Sequence, residues 1–156
     1  ELEPIEAWVK QQTGCKRLWQ NPTAPGLTLN HNCVQLVGAD EADARPHTDS
    51  RPNCRFAAVI YLTPDVPPDC GTVFYRQRLS GGQLGGNFVP PPHANLQAAL
   101  GTRFVPPGSF IEDLRVDYRF NRLVMYRADL IHSAIRYVGN TLETKRMAIV
   151  LFWLAQ

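Results

Sequence analysis

The sequence predicts a mainly β domain, a sandwich or barrel with a few short helices at its margins. Three observations predict it. Stretches rich in β-branched and aromatic residues recur along the chain: LTLNHNCVQLV, RFAAVIYLT, TVFYRQ, RLVMYR, IHSAIRY and KRMAIVLFWL. Turn signals separate them, most plainly PDVPPDCG before Thr72. A length of 156 residues with 44% hydrophobic residues suits one domain with a real core, 1–156, and leaves little room for a second.

Taken in order, Pro4 to Trp19 places Ile5, Trp8, Val9 and Gln12 at helical spacing and predicts an amphipathic helix, broken by Pro22 to Gly26. Residues 1–26 thus read as an N-terminal helical extension. Leu27 to Val37 reads as the first long strand, Arg55 to Thr63 as a buried strand ended by Pro64, and Thr72 to Gln77 as the next. From 78 to 120 the pattern weakens into a long connection. LSGGQLGG is flexible, FVPPP is stiff, His93 to Leu100 is a short helix, and Phe110 to Tyr118 is a further helical turn. A connection of that length within a compact domain is often a lid or binding loop, the plainer reading being a variable surface excursion. Strands then return at Arg122 to Arg127, Ile131 to Tyr137 and Lys145 to Leu154. Trp8, Trp19 and Trp153 take core positions, and no internal repeat is present.

Composition excludes several classes. Sixteen Lys and Arg against fourteen Asp and Glu give a net charge of +2, with the basic residues scattered, which is no footprint for nucleic acid. The longest uncharged stretch, Leu79 to Thr102, is full of Gly and Pro, and Met147 to Ala155 is too short to span a bilayer. No membrane association and no secretory start signal are expected. Cys15, Cys33, Cys54 and Cys70 form no C-x-x-C pair and read as free buried thiols in a reducing, cytoplasmic compartment. Oligomeric state is not legible.

The informative residues are His47 and Asp49 in PHTD and His132 in DLIHSAI. Side chains at i and i+2 of an extended segment share a face, so His47 and Asp49 can converge on one point, and His132 can join them from a strand across a closed sheet. Two imidazoles and one carboxylate with an open side are the donor set of non-haem Fe(II) centres that activate O2. H-x-D alone is a weak signal, since Asp49 would equally cap a surface turn. Context strengthens it. Arg146 opens the apolar strand RMAIVLFWL, fourteen residues after His132, where a guanidinium is costly unless it meets an anion. Its planar fork suits bidentate binding of a carboxylate.

In HTDS, RFAAVIYLT, CGTVFY, NRLVMYRADLIHS and KRMAIVLFW, over residues 27–156, the chain resembles the Fe(II)/2-oxoglutarate-dependent oxygenases, within them the prolyl-4-hydroxylase-like branch. The NRL-x-x-Y-x-A-x-x-x-H-S stretch also resembles a group of uncharacterised bacterial proteins assigned to that superfamily. The resemblance implies a double-stranded β-helix, or jelly-roll, with His47, Asp49 and His132 as iron ligands and Arg146 on the distal carboxylate of 2-oxoglutarate. The interval from His132 to Arg146 is longer than is usual there, and the turn VGNTLET, with its Gly139-Asn140 hairpin signal, can absorb the excess. Lys145 would face the opposite way, and Arg136 is a weaker competitor for the same role. Tyr61 and Thr72 are candidate co-substrate contacts, core packing being the plainer reading for both and for Tyr126. Ser133 is a neighbour of the ligand or a plain strand residue, and His31 and His93 stand outside the triad.

The activity this implies is hydroxylation of a C–H bond, with Fe(II) as cofactor and 2-oxoglutarate and O2 as co-substrates, releasing succinate and CO2. An amino-acid or peptidyl substrate is the natural expectation for that branch. Two rivals remain open at this point. One is a cupin-like metalloenzyme with the same triad and no 2-oxoglutarate; the other is a non-catalytic jelly-roll binding module.

Overall fold

The computed structural model describes residues 2–21 and 32–156. Helix α1 (Glu3–Thr13) opens with Pro4 in its first turn, where a missing N–H costs nothing, and sets Glu3 and Glu6 against the positive end of its dipole. It stops at Gly14, which adopts φ +70° and donates its N–H to the Lys10 carbonyl at 2.9 Å. The helix is therefore shorter than Pro4 to Trp19, and Leu18–Trp19 instead form a short strand, β1. Of the expected 1–26 extension, residue 1 and residues 22–26 lie outside the described residues, as do the first five positions of the expected Leu27 to Val37 strand, His31 among them.

The strands are β2 (Cys33–Val37), β3 (Phe56–Tyr61), β4 (Thr72–Gln77), β5 (Phe110–Val116), β6 (Leu123–Arg127), β7 (His132–Ala134) and β8 (Arg146–Ala155). They form two antiparallel sheets. In the five-stranded sheet β8 pairs on one side with β1 and β2 and on the other with β3, which in turn pairs with β6. The smaller sheet runs β5-β4-β7. The mainly β class is thus what the sequence predicts, with two short α-helices at the margins.

Strand β3 reads as a continuous apolar run because both its faces are covered. Ala57, Val59 and Tyr61 point into the core shared with Phe74, Tyr118, Val124, Tyr126 and Ala148, between the two sheets. Ala58 and Ile60 point the other way, into a second cluster with Leu151, Trp153 and the helical Val9. Helix α1 thus lids the outer face of the larger sheet. Trp153 is fully buried there, and its indole N–H donates to Glu6 Oε1 at 3.0 Å. Glu6→Ala is expected to destabilise the fold by about 1–2 kcal/mol, because the buried N–H loses its acceptor; thermal unfolding measures it. Trp8 does not join the core, since Leu2, Ile5 and Val9 make the inward stripe and Trp8 lies beside it, 41% exposed. Trp19 is half-buried beneath the Arg17 guanidinium.

The expected helical turn at Phe110 to Tyr118 is corrected to an edge strand, β5. The register skips Asp113 where Phe74 faces Leu114 and Tyr75 faces Glu112, so a bulge breaks the two-residue alternation and leaves Phe110, Ile111 and Leu114 at a spacing that mimics a helix. Arg76 reaches across to the displaced Asp113 at 2.9 Å. The connection before it, 78–109, is partly packed: Val89 and Leu96 form a small cluster with Ile131. Within it lies α2 (Leu96–Leu100), capped by the Asn95 side chain, which accepts from the Ala98 N–H at 2.8 Å. All four cysteines are free; Cys54 and Cys70 are buried, Cys15 and Cys33 half-buried. Among the described residues no helix is long and apolar enough to cross a membrane.

Candidate metal centre

Backbone pairing brings the three sequence-predicted donors together. His47 and His132 exchange both hydrogen bonds of an antiparallel bridge, at 2.9 and 2.8 Å, so the 47–49 segment borders β7. The Asp49 N–H donates to the Ala128 carbonyl at 2.9 Å, which ties the same segment to the end of β6. Alternation then sends His47 and Asp49 to one face and Thr48 to the other, where its hydroxyl accepts from the Leu96 N–H at 2.9 Å. Donor atoms of His47, Asp49 and His132 all lie within 4.8 Å of one another.

The imidazoles are oriented by main-chain carbonyls. His132 Nδ1 lies 2.8 Å from the Leu130 carbonyl and His47 Nδ1 lies 2.9 Å from that of Arg45. A carbonyl can only accept, so each Nδ1 carries the proton and each Nε2 keeps its lone pair. This arrangement fixes imidazoles as metal ligands. Asp49 Oδ2 is buried, has no hydrogen-bond partner among the described residues, and stands 3.9 Å from His132 Nε2. An orphaned carboxylate oxygen beside two imidazole lone pairs fits a divalent cation.

Burial pushes the Asp49 carboxyl up to about 6, with His47 opposing the shift. Burial lowers His132 to about 4, and burial together with the nearby His132 lowers His47. At neutral pH the set is therefore two neutral imidazoles and one carboxylate, with net charge −1. Protons compete with a metal mainly at Asp49, below about pH 6. Zinc affinity is expected to be about tenfold weaker at pH 5 than at pH 7. A titration giving the same affinity at both pH values would contradict this protonation scheme.

Arg146 sits where the sequence expects it, at the first residue of β8, and is 6% exposed. Its Nε donates to the Cys70 carbonyl at 2.9 Å, and its guanidinium lies over the rings of Tyr61 (5.3 Å) and Tyr137 (5.8 Å). No carboxylate among the described residues comes within ion-pair distance of it, although Arg136 pairs on the surface with Asp69 and Lys145 with Glu41. Lys145 thus faces away from Arg146, as alternation requires. One cavity of about 290 Å³ is lined by His47, Asp49, His132, Thr72 and Arg146. It lies at the lower edge of ligand pockets, roughly 300–1,000 Å³, a size for a small acid. The Tyr61 hydroxyl bonds Thr72 Oγ1 at 2.7 Å, so the two satisfy each other and only Thr72 faces the cavity. Ser133 lines it too, while His93 is exposed on the long connection.

Residues 39–145 match the model of DUF6445, a family of unknown function. The chain belongs to that family. No curated protein and no solved structure matches the chain. The DUF6445 span contains His47, Asp49 and His132 and ends one residue before Arg146. Tyr137, whose ring lies 5.8 Å from the Arg146 guanidinium, was not singled out from sequence, and Tyr126, weighed there as core packing, has its hydroxyl 3.1 Å from His132 Nε2. Tyr126 read as core packing because it alternates with Val124 on an apolar strand, and only the cross-strand partner reveals its polar end.

Proposed function

We propose that this DUF6445 protein is an Fe(II)- and 2-oxoglutarate-dependent dioxygenase on a double-stranded β-helix, hydroxylating a C–H bond of an amino-acid or peptidyl substrate with release of succinate and CO2. One observation carries the reading: one small cavity is lined by the two imidazoles, a carboxylate and a buried guanidinium, the last two without an ion-pair or hydrogen-bonding side-chain partner of opposite charge among the described residues. Two antiparallel sheets enclosing a common core support the fold assignment, and free thiols suit the cytoplasm.

Bound iron would supply the O2 chemistry. His47, Asp49 and His132 hold it. Arg146 takes the far carboxylate of the co-substrate, and the nearby Tyr61 and Tyr137 rings restrict its movement. Val59, Val150 and Phe152 line the same cavity and give it an apolar wall. A neighbouring groove of about 540 Å³ shares His47, Ser133, Ala134 and Tyr137 with the cavity, and brings substrate to the exposed edge of His47. Leu96, Leu100, Arg45 and Arg103 offer it an apolar wall and two cations.

The test is an anaerobic titration with Fe(II) and then 2-oxoglutarate, following the visible charge-transfer band of the chelate. A band requiring both is expected, with Arg146→Leu losing the 2-oxoglutarate response and retaining iron. Iron binding without that response would mean a metalloenzyme of another co-substrate, and no metal binding would leave a binding module.

A further inference from the structure

The Tyr126 hydroxyl stands on the atom a metal needs. It lies 3.1 Å from His132 Nε2, and because His132 Nδ1 donates to the Leu130 carbonyl, Nε2 can only accept. Tyr126 is therefore the donor. The ring cannot easily leave: it is 8% exposed, packs edge-on against Phe74 with centroids 5.2 Å apart, and rests against the His132 imidazole at 4.5 Å. A lone pair serves one partner at a time. A metal can take Nε2 only after the O–H has turned away, and the phenol oxygen stays beside the ligand.

We propose that Tyr126 is a positioning residue that gates the metal centre: its hydroxyl holds His132 in the tautomer and orientation of a ligand, and competes with the incoming metal for Nε2, lowering affinity and slowing entry. This rests on the metal-site reading above. The hydrogen bond exchanged is an ordinary one, so removing it strengthens metal binding by about three- to tenfold. A hydroxyl that merely packed, or that supported the loaded site, would do the opposite or nothing.

The experiment compares the full chain with Tyr126→Phe, which keeps the ring and its packing. Zn(II) affinity is measured by competition with a chromophoric chelator, and the association rate by stopped flow. The expected result is tighter binding in Tyr126→Phe, by three- to tenfold, with a faster association rate. Unchanged or weaker binding in the Phe variant, with wild type binding zinc, overturns the gate and leaves the metal site standing. Failure of both proteins to bind Zn(II) overturns the site and the gate together.

Discussion

Asp49→Ala is expected to abolish metal binding and to make the metal-free protein more stable. Both effects follow from one atom. Asp49 Oδ2 is buried without a hydrogen-bond partner among the described residues, so the fold holds a charge that it does not compensate. The folded pKa, about 6, lies above the ordinary 3.8, which means that the unfolded chain ionises more readily than the folded one. The penalty is therefore absent below about pH 4, grows as pH rises toward 6, and is fully present above it. The alanine variant escapes it and should gain about 1–3 kcal/mol at pH 8, less the small void left by the carboxyl. Chemical denaturation with chelator at pH 4 and pH 8 measures the difference. A variant destabilised equally at both pH values would make Asp49 a structural anchor and count against a metal role.

The second large effect belongs to the turn that leads into Arg146. Gly139 adopts φ +77°, and a Cβ there would stand 2.0 Å from the Thr144 carbonyl oxygen and 2.5 Å from the Lys145 nitrogen. Both atoms are backbone, so no side chain can move aside. Gly139→Val should destabilise the protein by about 3–5 kcal/mol, from left-handed strain and steric conflict together. If Arg146 holds the co-substrate as proposed, the same variant should also weaken 2-oxoglutarate binding more than iron binding, because Arg146 is two residues beyond Thr144. A melting temperature within a degree of wild type would show that this turn relaxes freely.

Strands with a clear apolar pattern were legible to within a residue or two: β4 spans the expected Thr72 to Gln77, and β6 and β8 begin one residue late. What failed depended on partners far along the chain. Strand β5 hides its alternation behind a bulge that exists only against β4. The first helix overran because Cys15 to Trp19 continue a plausible helical composition, while Gly14 and the pairing of Leu18 and Trp19 with β8 end it. For the site, i and i+2 spacing was enough to join His47 to Asp49, and order along the chain brought in His132 and Arg146. The roles of Tyr126 and Tyr137 could not be read in advance, since an aromatic on a strand looks the same whether its polar end meets a ligand or a wall.

The bridge between His47 and His132 has a consequence for the lifetime of the protein. These residues are distant in sequence, and a cation held by both would act as a removable staple between an early and a late part of the chain. Each tenfold rise in free metal above the dissociation constant would add about 1.4 kcal/mol to the folded state. Chains left unloaded would lose the staple while retaining the buried charge of Asp49, and would open more often to proteases. Cellular metal supply would then govern how much of this protein persists, independently of how fast it is made.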